Sequence, residues 1–177
     1  MKYLYRVCSI EEYKENEQFF PVVFIRTNID NGSESLFDES KPLKHYFLNV
    51  SDAYVYNYLT LTEVYTTNRI NIYTMPNNMI ENNKGFSRYK DEDNFNEVEE
   101  VAIPREDLLR YLGVKDDSEI VLLEKKDLEK FYVGYIDLDK NEVIYFNDFL
   151  KDYSEDNEVE LFLKSQREYN KKLSLEL

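Results

Sequence analysis

Lys44-His45-Tyr46-Phe47-Leu48-Asn49-Val50-Ser51-Asp52-Ala53-Tyr54 is the stretch on which the fold turns. Its first half carries aromatic strand formers, and its second half opens on a hydroxyl and an acid of the kind that start helices. Residues 45–49 read as a strand. Ser51 is the expected N-cap, Asp52 lies where its charge suits the helix dipole, and the helix is expected to reach about residue 59. The stretch also holds His45, the sole histidine of the chain. A strand that passes directly into a helix, between two further strand candidates, points to an α+β domain.

Working outward, Tyr3-Leu4-Tyr5-Arg6-Val7-Cys8 alternates like a first strand. Ser9 and Glu12 have the spacing of a capping box and predict a short helix to about residue 17. Residues 19–26 read as a second strand whose start Pro21 confines to an edge or a bulge. Residues 28–42 are polar, contain Asn31-Gly32, and read as a turn and a long loop. On the other side, residues 69–75 form a strand that Pro76 ends. A turn of helix is expected over 79–83, then a loop opening on Gly85-Phe86. Residues 97–103 read as a strand; Pro104 suits the first position of a short helix and Gly113 its C-terminal cap. Residues 119–123 form a further strand. Residues 132–138 and 142–146 predict a hairpin across Asp139-Lys140-Asn141. Val159, Phe162, Leu163, Tyr169 and Leu173 recur at helical spacing and predict a long amphipathic helix. The expected class is α+β, a mostly antiparallel sheet with short helices, closed by an acidic hairpin and that helix.

The chain of 177 residues is long enough for one substantial core, and its 16 Tyr and 11 Phe supply rings to fill it. Its net charge of −14 is unevenly placed. Residues 1–90 carry 11 acidic and 10 basic side chains, a net of −1; residues 91–177 carry 25 and 12, a net of −13. Such an acidic half repels nucleic acid and anionic membranes, and it attracts basic partners. Solubility alone accounts for a surface of this kind; the functional alternative is imitation of a phosphate backbone. Cys8 is the only cysteine, so no intramolecular disulfide forms and a reducing cytosol is the natural setting. The opening residues are too short and polar for a signal peptide, and no apolar run approaches a membrane span. A cytoplasmic protein is expected.

The chemistry-bearing candidates are few. One His and one Cys do not build a usual zinc site. Asp137, Asp139, Asn141 and Asp148 mimic part of a calcium-binding loop, but Glu142 stands where the sharp turn calls for Gly. No metal is expected. A Cys8–His45 nucleophilic pair lacks a local motif, and such a cysteine is usually a small core residue. His45, between Lys44 and Tyr46, reads as a half-buried structural residue. What remains is Arg6 late in the first strand, Asn49-Val50-Ser51 at a strand-to-helix junction, and Glu97-Val98-Glu99-Glu100-Val101-Ala102-Ile103. An arginine can clamp a pyrophosphate, a hydroxyl can steady the site, and a glutamate can grip a ribose while positive charge develops at its anomeric carbon.

This order resembles the ADP-ribosyltransferase superfamily with an Arg, Ser, Glu arrangement. Leu4-Tyr5-Arg6-Val7, Lys44-His45-Tyr46-Phe47, Gly85-Phe86 with Tyr89, and Glu100-Val101-Ala102-Ile103-Pro104-Arg105 also look like a family of uncharacterised proteins from Firmicutes and their phages. The resemblance covers roughly residues 1–112. It implies an ADP-ribosyltransferase-like core there, with residues 113–177 an acidic extension or part of one continuous domain. It further implies NAD as the cofactor, Arg6 as the clamp, Ser51 as the surviving hydroxyl, and Glu100 or Glu99 as the catalytic acid. The family's Ser-Thr-Ser and Glu-x-Glu patterns are incomplete. Asn49 and Val50 replace two hydroxyls, Val98 stands two before Glu100, and the Glu97–Glu99 alternative displaces the apolar run by one residue. The expected roles are therefore two: a phage or mobile-element transferase acting on a host macromolecule, or a non-enzymatic acidic inhibitor or adaptor. The latter, anti-CRISPR-like and a nucleic-acid mimic, would bind a basic host nucleic-acid-binding protein.

Overall fold

The computed structural model describes residues 2–9, 33–35, 43–61, 66–91, 94–115, 131–146 and 158–176. In chain order these form β1 (Lys2–Ser9), β2 (Ser33–Ser35), β3 (Leu43–Phe47), α1 (Val50–Leu61), β4 (Thr66–Met75), α2 (Asn77–Glu81), β5 (Lys84–Asp91), β6 (Asn94–Pro104), α3 (Arg105–Leu112), β7 (Tyr132–Asp137), β8 (Glu142–Tyr145) and α4 (Glu158–Glu176). The strands make one sheet in the order β2-β5-β6-β3-β1-β4-β7-β8. Every neighbouring pair is antiparallel. The fold is α+β.

β1 and β4 are buried on both faces, which explains why apolar residues occupy adjacent as well as alternate positions. Leu4 and Tyr5 are both core residues, as are Ile70, Ile72, Tyr73 and Met75. One face gathers Tyr5, Val7, Phe47, Ile70, Ile72 and Ile136 under Val50 and Ala53 of α1 and Val159 and Leu163 of α4. The opposite face gathers Leu4, Tyr46, Tyr73, Met75, Val101 and Ile103 under Ile80 of α2 and Leu108 and Leu109 of α3. Each large apolar side chain buried in this way stabilises the fold by about 1.5–3 kcal/mol. The second face is lined with rings. Tyr73 stacks on Tyr132 at 5.2 Å and meets Tyr46 edge-on at 5.1 Å. Asn71 joins them, accepting from the Tyr132 hydroxyl at 2.9 Å.

β7 and β8 continue the sheet beyond β4, so the residues after 112 share the framework of those before it. A β-carbon at Gly134 would collide with the Ile144 carbonyl oxygen, so only glycine lets β8 approach β7 there. Their turn is held by Asp137, whose Oδ1 accepts from the amides of Asp139 and Lys140. Asn68 of β4 then donates to Asp139 Oδ1 at 2.6 Å. These carboxylates are occupied in shaping a strand–turn–strand, and no metal-ligand cluster occurs among the described residues.

The helix ending at Gly113 forms, with Pro104 as its N-cap and the last residue of β6 rather than the first helical residue. Gly113 takes the left-handed conformation (φ 77°), and the amides of Gly113 and Val114 return to the carbonyls of Arg110 and Leu109. Three further expectations are corrected. Ser51 is not the N-cap of α1: the helix already includes Val50, whose amide donates to Glu158 Oε1 at 3.2 Å. The loop expected at Gly85-Phe86 is β5, a strand paired along β6 from Lys84 opposite Val101 to Asp91 opposite Asn94. The loop expected over 28–42 contains β2, which pairs with β5. The predicted helix to residue 17 and the strands at 19–26 and 119–123 lie outside the described residues.

Candidate functional site

The β3–β6 register sets His45 opposite Ala102 and Phe47 opposite Glu100. The β5–β6 register sets Gly85 opposite Glu100 and Ser87 opposite Val98. Glu100 therefore faces a glycine on one side, and His45 and Ser87 are its diagonal neighbours on the same face. Ser87 Oγ donates to Glu100 Oε2 at 2.5 Å, and His45 Nδ1 lies 3.5 Å from the same oxygen. Glu100 is 1% exposed and Ser87 3%, whereas the His45 side chain keeps 18%. The carboxylate stands between hydroxyl and imidazole. That differs from a nucleophilic triad, where the imidazole must receive the proton of the hydroxyl. As built, this cluster satisfies a buried charge and ties three strands together.

The four residues expected to hold and cleave a dinucleotide are divided by the sheet. Arg6 alternates with Tyr5 and Val7, and so belongs to the face of Leu4 and Tyr73. Its Nη1 donates to the His45 carbonyl at 2.8 Å. β1 and β3 pair at Tyr5 and Phe47, and this bond joins the same two strands close by. Glu99 lies on the Arg6 face, half-buried, with its Oε1 3.7 Å from Lys84 Nζ. Lys84 is also 3.0 Å from Glu81, a contact that raises the lysine pKa and lowers that of the glutamate. Glu100 lies on the α1 side, and Ser51 is exposed in the first turn of α1. The geometry does not gather Arg6, Ser51 and either glutamate into one cradle for NAD. Adjacent strand residues point to opposite faces, so Glu99 and Glu100 serve different environments.

Sequence reasoning missed Ser87 because Gly85-Phe86 read as the opening of a loop. Gly85-Phe86-Ser87-Arg88-Tyr89 does not alternate apolar with polar residues, and Phe86 is exposed while Ser87 is buried, so the sequence offered no strand signal there. His45 is half-buried, as expected. Comparison with protein-family models, curated proteins and solved structures returns no match for the chain. Among the described residues, no helix is long and apolar enough to cross a membrane.

Proposed function

We propose that this chain is a non-enzymatic acidic binding protein, an inhibitor or adaptor that docks on a basic, nucleic-acid-binding host protein. The observation that carries this reading is the net −13 over residues 91–177, beside −1 over residues 1–90. Within the acidic half, Glu97, Glu106, Asp139, Glu142, Glu158 and Glu160 are all exposed. Exposed carboxylates steer a basic partner at long range and suppress contact with nucleic acid. The transferase reading has less support, because its acid would be either the enclosed Glu100 or Glu99, and Ser51 lies across the sheet from Arg6.

The test immobilises the full chain and passes a bacterial lysate over it. The retained proteins are expected to be basic nucleic-acid binders, released by raised salt and displaced by added DNA or RNA. A Glu97→Lys, Glu106→Lys, Glu142→Lys chain should lose them. Salt-insensitive retention, or retention indifferent to nucleic acid, would count against the reading. Incubation with labelled NAD and lysate is expected to transfer no label. Transfer that disappears in both Arg6→Ala and Glu100→Ala variants would establish the transferase instead.

A further inference from the structure

We propose that the distal part of α4 is a docking arm for a second copy of this chain, which it meets at the β7–β8 hairpin. The first turns of α1 and α4 lie side by side and run in the same direction. Val50 is bonded to Glu158, 108 residues away, and Tyr54 packs on Phe162 at 5.2 Å with that same spacing. Residues 167–175 are all exposed, so about 13 Å of α4 at the helical rise extends without cover from the rest of the chain. Phe162, Tyr169 and Leu173 lie on one stripe, so an apolar strip that begins against the core continues beyond it. Tyr169 is 59% exposed, Leu173 41% and Leu175 81%.

The charge of the arm identifies its occupant. Residues 164–177 hold Lys164, Arg167, Lys171 and Lys172 against Glu168 and Glu176, a net of +2. Residues 91–163 hold the other 23 acidic and 8 basic side chains, a net of −15. A cationic amphipathic arm on an acidic body complements another copy of that body, while the body itself repels an anionic membrane. The β7–β8 hairpin supplies a matching surface. Glu142 and Ile144 are both exposed and, two residues apart, share one face of β8, an acid beside an apolar group. Lys171 and Lys172 beside Leu173 offer the converse pair. Arg167 Nη2 donates to the Asn141 carbonyl at 3.3 Å, so arm and hairpin are neighbours within one molecule. A two-fold axis beside that contact lets both arms engage both hairpins at once.

Sedimentation equilibrium of the full chain tests this without any other partner, so its outcome is separate from that of the binding function. The mass is expected to rise from 21.4 kDa towards the dimer with concentration, and to fall back in high salt. Lys171→Glu with Lys172→Glu should weaken association about tenfold, and so should Glu142→Lys; a chain carrying all three changes should recover it. These positions are exposed, and circular dichroism verifies that each variant is folded. A monomer at every concentration, or dimerisation indifferent to these charge reversals, would overturn the proposal. So would binding of the monomeric full chain to phosphatidylserine vesicles.

Discussion

Glu100 shows how little a carboxylate's identity says until its neighbours are known. In the sequence it is one of three glutamates in a strand; in the fold it is 1% exposed, with a hydroxyl and an imidazole at its Oε2. A buried carboxylate that loses a donor retains its desolvation cost without the compensating bond. Ser87→Ala is therefore expected to lower stability by about 1–3 kcal/mol in urea unfolding. Glu100→Gln keeps the shape and an acceptor for Ser87 while removing the charge, so its loss should be smaller. An unchanged midpoint for Ser87→Ala would show that the cluster contributes nothing to stability. Arg6 carries the same lesson, because its guanidinium donates to a strand carbonyl, that of His45.

At the scale of elements, Glu158 replaces the cap that Ser51 was expected to provide. It accepts from the Val50 amide at the start of α1, and burial, with the charge of Glu158 adding to it, raises the pKa of Tyr5. One carboxylate at the first turn of α4 thus ties that helix to the start of α1. Glu158→Ala should cost about 1–2 kcal/mol, the range for loss of an N-cap. Glu158→Gln should recover part of it, and chemical denaturation measures both. This explains which elements were legible. β1, β4, α3 and α4 announce themselves through alternation, helical spacing, or Pro and Gly at their ends, all local properties. β2 and β5 were not legible, because polar strands acquire their register from a partner. The Ser87–Glu100–His45 cluster was hidden for the same reason: it exists only once three strands are paired.

At the scale of the molecule, the sheet divides a tyrosine-rich chain into two cores, and several phenols are fixed inside them in neutral form. Burial pushes the Tyr3 hydroxyl up to about 12, with Tyr145 adding to the shift. Burial raises Tyr5 further, aided by the Glu158 charge, and raises Tyr111. A folded-state pKa above the unfolded value means that the folded chain holds the proton more tightly. Below about pH 10, where unfolded tyrosine is protonated, this contribution to stability is fully present. Above it the unfolded chain releases protons that the folded chain retains, so stability falls as pH rises. The fall is expected to approach about 1.4 kcal/mol per pH unit for each such tyrosine, until the folded pKa is reached. Alkaline titration followed by tyrosinate absorbance and far-ultraviolet dichroism should therefore end in a cooperative step where ionisation and unfolding coincide. Tyr5→Phe retains the ring and removes the ionisable group, and should move that step to higher pH. A step that stays in place would mean that the Tyr5 phenol ionises within the folded protein, and that its enclosure between β1, α1 and α4 is looser than the packing implies.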